Sequence, residues 1–433
     1  MTEQVDDRHH VVIIGGGFGG LNAAKALRNK PLRVTLVDKR NFHLFQPLLY
    51  QVATGGLSPG DIAYPLRAAV HKSANIRVLA AEVIDILPDQ RQVVFVDGQL
   101  GYDSLIVATG AANHYFGNDH WADLAPGLKT VEDALGIRRR ILLAFEAAER
   151  EGDPDKRQAR LNFVVIGGGP TGVELAGAIS GLANETLRHD FQDIDPRDAH
   201  VILLEGQDRI LGAFPEELSA KAEQSLVQLG IEVRKRTFMT DIQEGCVVVR
   251  DEASGETSRL PAYTVLWAAG MKASPIGQVL ADQTGAELDR MGRLVVEPDL
   301  TLPGHPNIFV IGDLANFAYG LDAPLPGVAQ VAMQQGVHAA ELILARQRGR
   351  ELPAFVYKDK GTMAVIGRNA AVADIGRLHI SGFPAWLIWL FVHISFLIGF
   401  DNKVLVLVQW AWYYLTRKRG ARLITGDSPY PLV

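Results

Sequence analysis

A chain of 433 residues, 48% of them hydrophobic, is long enough for two or three domains with real cores. Its mixed charge, net -6 from 43 basic and 49 acidic residues, argues against nucleic acid as a partner. The single cysteine, Cys246, excludes an internal disulfide, a CxxC pair and a cysteine-based metal site. No metal is expected, the chain suits a reducing compartment, and its redox chemistry has to come from a cofactor. Residues 1–7 carry Glu3, Asp6 and Asp7 and lack the basic start and apolar run of a secretory signal.

In chain order, Val11-Val12-Ile13-Ile14 reads as a buried parallel strand running into Gly15-Gly16-Gly17-Phe18-Gly19-Gly20 and an Ala-rich helix. A second strand, 34–38, ends in Asp38, and Leu105-Ile106-Val107 leads into Ala108-Thr109-Gly110. The pattern then repeats. Phe163-Val164-Val165-Ile166 runs into Gly167-Gly168-Gly169-Pro170-Thr171-Gly172, strand 201–205 ends in Glu205, and Val265-Leu266-Trp267 leads into Ala268-Ala269-Gly270. The polar stretch 184–198 reads as an insertion that delays Glu205. A last strand, 308–311, ends in Gly312-Asp313 after the second copy, so the first fold is interrupted and resumed.

Gly15, Gly17 and Gly20, like Gly167, Gly169 and Gly172, are spaced G-x-G-x-x-G. The first glycine allows a tight turn, the second lets backbone approach a pyrophosphate, and the third lets helix and strand pack closely. An acid ending the second strand can hold a ribose hydroxyl pair, a role that Asp38 and Glu205 fit. One such turn alone is weak evidence, but two copies with strand, helix and acid in place are not.

This order of motifs resembles the two-dinucleotide-binding-domain flavoproteins. The resemblance covers Val11 to about Gln347 and implies FAD in the first fold and a nicotinamide dinucleotide in the second. It implies FAD contacts from Gly15, Gly17, Gly19, Gly20, Asp38, Lys39, Pro47, Val83, Thr109, Gly110, Gly312, Asp313, Ala329 and Gln330. For NADH it implies Gly167, Gly169, Gly172, Glu174, Glu205, Ala269 and Gly270. The expected architecture is α/β, with two Rossmann-like domains, the second inserted in the first, and a C-terminal membrane-associating helical segment. The boundaries are 8–125 and 291–350 for FAD, 160–290 for NADH, and 351–433 for the C-terminal region.

Disulfide reductases and sulfide:quinone oxidoreductases of this fold need cysteines; here Cys246 reads as a small buried residue in a Val-rich strand. Three further stretches, 41–50, Ala329-Gln330-Val331-Ala332-Met333-Gln334 and Asp359-Lys360-Gly361, look like the type II NADH:quinone oxidoreductases. That resemblance implies non-pumping transfer of two electrons from NADH through FAD to a membrane quinone. Gln330 and Gln334 would then lie by the flavin and quinone, Lys360 near the quinone, and Glu174 in a proton role. Each has a plainer reading: an ordinary amphipathic helix start, a solvated lysine, and a first-turn acid favoured by the helix dipole. Glu205 favours NADH, because a carboxylate repels the 2′-phosphate of NADPH.

Residues 383–400 are apolar but near the lower length limit for a spanning helix, and 404–415 are too short, with Asp401-Asn402-Lys403 between them. Trp410, Trp412, Tyr413 and Tyr414 suit the headgroup level, and Arg417, Lys418, Arg419 and Arg422 suit anionic lipid. A buried dimer-forming helix pair, a spanning segment and a monotopic anchor compete, and the short second run favours the anchor. Removal of everything after Ser381 is therefore expected to leave the nucleotide folds intact. The resemblance adds a homodimer on the cytoplasmic face of the inner (cytoplasmic) membrane. The alternatives are a reductase of a protein acceptor, which does not need this tail, and a flavin-bearing signalling protein, which would oxidise NADH very slowly.

Overall fold

The computed structural model describes residues 7–426. Along the chain run β1 (His10–Ile14), α1 (Phe18–Ala26), β2 (Arg33–Asp38), α2 (Leu49–Ala53), β3 (Ile76–Ala80), β4 (Ser104–Val107) and α3 (Val131–Glu149). There follow β5 (Asn162–Ile166), α4 (Pro170–Gly181), β6 (His200–Leu204), β7 (Glu232–Arg234), β8 (Thr237–Gln243), β9 (Cys246–Asp251), β10 (Thr257–Pro261) and β11 (Thr264–Trp267). The last elements are β12 (Thr301–Leu302), β13 (His305–Val310), α5 (Ala329–Arg346), β14 (Thr362–Gly367), β15 (Ala370–Ile375), β16 (Leu378–Ser381), α6 (Phe383–Phe396) and α7 (Phe400–Thr416).

Two compact units result: residues 1–44, 63–112 and 271–359 form one, and 45–62, 113–270 and 360–433 the other. The first holds a six-stranded sheet in the order β12-β13-β4-β1-β2-β3, parallel except where β12 meets β13. The late strand β13 thus pairs directly with β4, so this sheet does resume after the second copy of the motif. Val11, Val12 and Ile13 are fully buried, which is why β1 carries no alternation of apolar and polar residues. The second unit has the parallel sheet β7-β6-β5-β11 and the antiparallel sheets β8-β9-β10 and β14-β15-β16. In each parallel sheet the central strand, β1 or β5, has a neighbour on either side. Strand order reverses there, and the carboxyl ends of the two flanking strands open a crevice for a ligand.

The tail departs from the sequence reading in two ways. Asp401-Asn402-Lys403 is not a break but the first turn of α7, where Asp401 complements the helix dipole. The break lies just before it, at Gly399, whose φ of 87° admits glycine easily. Nor is the basic cluster all free for lipid. Arg419 is buried, donating to the Thr54 carbonyl at 2.9 Å and lying 5.2 Å from the Tyr413 ring, while Arg422 pairs with Asp190. Among the described residues no helix is long and apolar enough to cross a membrane. The 17 residues of α7 rise roughly 25 Å, short of a hydrocarbon core of about 30 Å.

Candidate functional site

In the first unit, Gly15 has φ 101° and donates to the Val37 carbonyl at 2.8 Å, turning the chain tightly off β1. A Cβ on Gly20 would lie 1.9 Å from the Gly15 carbonyl oxygen, so only glycine lets α1 start this close to its strand. Gly17 caps α1 without any side-chain bond and faces open space, leaving first-turn N–H groups for an anion. Asp38 accepts from Gly16 N–H at 2.6 Å and from Arg40 N–H at 2.7 Å. Burial raises its pKa, and these two bonds oppose that rise.

The second unit repeats the device. Gly167 has φ 105° and donates to the Leu204 carbonyl at 2.7 Å, and a Cβ on Gly172 would lie 1.8 Å from the Gly167 carbonyl oxygen. Glu205 accepts from Gly168 N–H at 2.6 Å and Gln207 N–H at 2.7 Å, the same pattern as Asp38. Gly169 caps α4 with no side-chain bond. Ala269 and Gly270 follow β11 at the same carboxyl edge. Each acid therefore grips the middle glycine of its own loop and keeps lone pairs for a ribose.

Other expected residues fall as follows. Thr109 Oγ1 bonds Ser274 Oγ at 2.5 Å beside Gly110, whose φ is 70°. Gly312 N–H donates to Gln335 Oε1 at 2.7 Å, so buried Gln335 braces the Gly312-Asp313 turn. Ala329 and Gln330 open α5, while the Gln334 amide both donates to the Lys358 carbonyl (2.9 Å) and accepts its N–H (3.0 Å). Gln334 thus holds backbone. Lys39 sits at the surface 3.5 Å from Glu82, Val83 begins a strand, Val83–Leu87, and Gly19 is buried in α1. Pro47 and Lys360 belong to the second unit, Lys360 being exposed.

His43 lies in the 41–50 stretch, where the sequence assigned it no role. It is buried, and its Nδ1 lies 2.9 Å from the Gly16 carbonyl. A carbonyl only accepts, so Nδ1 carries the hydrogen. Burial depresses the His43 pKa to about 4, which keeps the ring neutral. The Gly16 peptide is thus held at both ends, by Asp38 and by His43.

Glu174 lies in α4, two residues beyond Gly172, with Oε1 accepting from Val365 N–H at 3.4 Å. Burial raises its pKa to about 8. It is therefore protonated at neutral pH, and, lying beyond the first turn of α4, it is not the first-turn acid that the helix dipole would favour.

Cys246 is partly exposed at the start of β9, a correction to its reading as buried. Its Sγ meets the Val247 carbonyl at 3.8 Å, and β9 belongs to the antiparallel sheet β8-β9-β10, not to the parallel sheet that runs into Gly167. Cys246→Ser should keep full turnover with NADH and quinone, as measured by steady-state kinetics; a tenfold loss without a change in melting temperature would place sulfur in the redox path.

Two acid-braced dinucleotide folds in one chain define the class of pyridine nucleotide-dependent oxidoreductases. The family model for pyridine nucleotide-disulphide oxidoreductases matches residues 9–336, and that for the NDH2 C-terminal domain matches 360–419. The chain belongs to the type II NADH:quinone oxidoreductase family. A type II NADH:quinone oxidoreductase of Mycobacterium tuberculosis is 46% identical, over 99% of this chain and 93% of that one. One from Staphylococcus aureus is 32% identical, over 88% of this chain and 92% of its own. The solved NDH2 of Plasmodium falciparum in complex with NADH has the same fold, with a TM-score of 0.88 at 20% identity, over 97% of this chain and all of that one.

Proposed function

We infer that this protein passes two electrons from NADH through bound FAD to a quinone without pumping protons. The observation that carries this is the pair of matched, acid-braced glycine turns in a chain whose 360–419 segment matches the NDH2 C-terminal domain. FAD supplies the redox chemistry, accepting hydride and releasing electrons, while the protein binds, orients and sets the local electrostatics. We assign FAD to the first unit, through Gly15, Gly17, Gly20, Asp38 and the Gly312-Asp313 turn. NADH falls to the second, through Gly167, Gly169, Gly172 and Glu205.

Hydride brings one hydrogen nucleus and two electrons, so the quinol's second hydrogen arrives as a proton. Glu174, protonated at neutral pH, is suited to deliver it. On α6, Phe383, Leu387 and Phe391 are exposed at helical spacing, and on α7 Phe400, Val404, Val408, Trp412 and Leu415 form a second outward stripe. Apolar stripes of this size in water support a monotopic anchor that opens the protein to a lipid-dissolved quinone. The cytoplasmic face and a homodimer rest on family likeness.

NADH should bleach the flavin of the purified protein, and a quinone should restore its colour. Glu205→Ala with Gln207→Arg should shift preference toward NADPH by on the order of 100-fold, by removing the repelling charge and adding an attracting one. Failure of quinone to reoxidise the flavin would overturn the function; equal use of NADH and NADPH by the wild type would overturn only the role of Glu205.

A further inference from the structure

Phe116, in the loop 113–118 of the second unit, is 61% exposed and has φ 52°, next to Gly117 at φ 89°. A bulky side chain in the left-handed region is an outlier, and such strain gathers at binding and catalytic sites, where the surroundings hold it in place. They do so here. Trp267 donates its indole N–H to the His114 carbonyl at 3.1 Å, His114 N–H donates to the Gly270 carbonyl at 3.3 Å, and the Tyr115 hydroxyl donates to the Ala125 carbonyl at 3.0 Å. Tyr115 is thereby buried while the next ring is turned outward, 4.7 Å from the His114 ring and 6.2 Å from that of Trp267. A Cβ on Gly270 would lie 2.7 Å from the Phe116 ring, so that ring rests on the Gly270 backbone. Gly270 in turn continues a run that abuts the glycine turn. A Cβ on Gly167 would meet Ala269 N at 2.8 Å and the Ala268 carbonyl oxygen at 2.9 Å.

These contacts put an exposed aromatic ring just past the end of β11. In the sheet β7-β6-β5-β11, Glu205 follows β6 on one side of β5, and β11 lies on the other. A dinucleotide whose adenosine ribose is held by Glu205 crosses the start of α4 with its pyrophosphate and lays its nicotinamide end over β11. We propose that Phe116 is a substrate-contacting residue for that end of NADH: its ring, seated on Gly270, packs against the nicotinamide and keeps water from it. The inference rests on NADH lying in the second unit. An aromatic wall suits a flat ring, and it separates ligands that carry the nicotinamide from those that lack it. The left-handed backbone, braced through Trp267 and Tyr115, aims the ring before the ligand arrives, so little side-chain freedom is lost on binding.

The test is calorimetric titration of the FAD-loaded protein with NAD⁺ and with ADP-ribose, which differ by the nicotinamide alone and leave the flavin oxidised. Phe116→Gly removes the ring and adopts φ 52° freely, so it should melt close to wild type. Its Kd for NAD⁺ should rise by about fivefold to tenfold, while that for ADP-ribose changes by less than about twofold. Phe116→Tyr keeps the ring and should bind both ligands like wild type. Should the glycine variant not fold, Phe116→Asn, also at ease in the left-handed region, gives the same reading. Unchanged NAD⁺ affinity in the ringless variant overturns the inference, as does an equal loss for both ligands. Gly172→Ala separates the two levels, since it should weaken both ligands. If it weakens neither, NADH does not lie in the second unit and the inference falls with that reading; if it weakens both while Phe116→Gly weakens neither, only the inference falls.

Discussion

Gly172→Ala should leave FAD bound and abolish its reduction by NADH at ordinary cofactor concentrations. The added methyl would stand 1.8 Å from the Gly167 carbonyl oxygen, and both partners are backbone, so neither side can rotate away. The start of α4 has to retreat from β5, which pulls the first-turn N–H groups out of line with a pyrophosphate. Losing two charge-assisted hydrogen bonds, at about 1.5–3 kcal/mol each, weakens binding by on the order of 100-fold or more. The matching change in the first unit, Gly20→Ala, meets the Gly15 carbonyl at 1.9 Å and should lose FAD itself. Flavin absorbance after purification and stopped-flow reduction by NADH separate the two. Wild-type reduction of Gly172→Ala, or a yellow Gly20→Ala protein, would break the assignment of one cofactor to each unit.

Cutting the chain after Ser381 should destabilise the second unit, the opposite of what hydropathy alone implies. The tail has an inner face. Ala385, Trp389 and Val406 are buried, Arg419 is buried against the Thr54 carbonyl, and Arg368 donates to the Tyr414 carbonyl at 3.1 Å with its guanidinium 4.4 Å from that ring. Removing these partners strands the polar groups they satisfy, at about 1–3 kcal/mol each, besides exposing apolar surface. The outer stripe is a separate matter. Leu387→Glu, Phe391→Glu and Val408→Glu together should leave a folded, FAD-bound protein in the soluble fraction. Each apolar side chain contributes about 1.5–3 kcal/mol on leaving water, so the loss of membrane affinity exceeds 100-fold. Turnover with a short water-soluble quinone should persist, while turnover with a long-tailed quinone in vesicles should drop at least tenfold. A triple variant that still sediments with membranes would remove the anchor, and a truncated protein with unchanged melting temperature would show that the inner face carries no stability.

The parts of this protein that could be read in advance are local and repeated. Gly15 through Gly20 and Gly167 through Gly172 each announce a turn within six residues, and Asp38 and Glu205 end strands whose apolar runs mark them as central. What could not be read joins residues far apart in the chain. Gln51 meets Trp410 across a separation of 359 residues, and Thr54 meets Arg419 across 365. No periodicity records such pairs. Gln335 was missed for another reason: three glutamines occupy α5 within six positions, and only the turn at Gly312 shows which of them its N–H meets. The inner face of the tail was not legible because both of its faces are apolar. Hydropathy distinguishes water from oil, and it cannot tell protein interior from lipid.

The aromatic content of that tail gives the molecule a reporter of its own. Of six tryptophans, Trp386, Trp389, Trp410 and Trp412 lie in α6 and α7, and only Trp121 and Trp267 lie elsewhere. Trp412 faces outward, whereas Trp389 is enclosed and stacked 4.3 Å from His393. Intrinsic fluorescence is therefore dominated in number by the tail. With Trp412 alone replaced by phenylalanine, the difference in emission between the two proteins isolates one outward-facing indole, so the proposed binding to vesicles can be followed without attaching a dye.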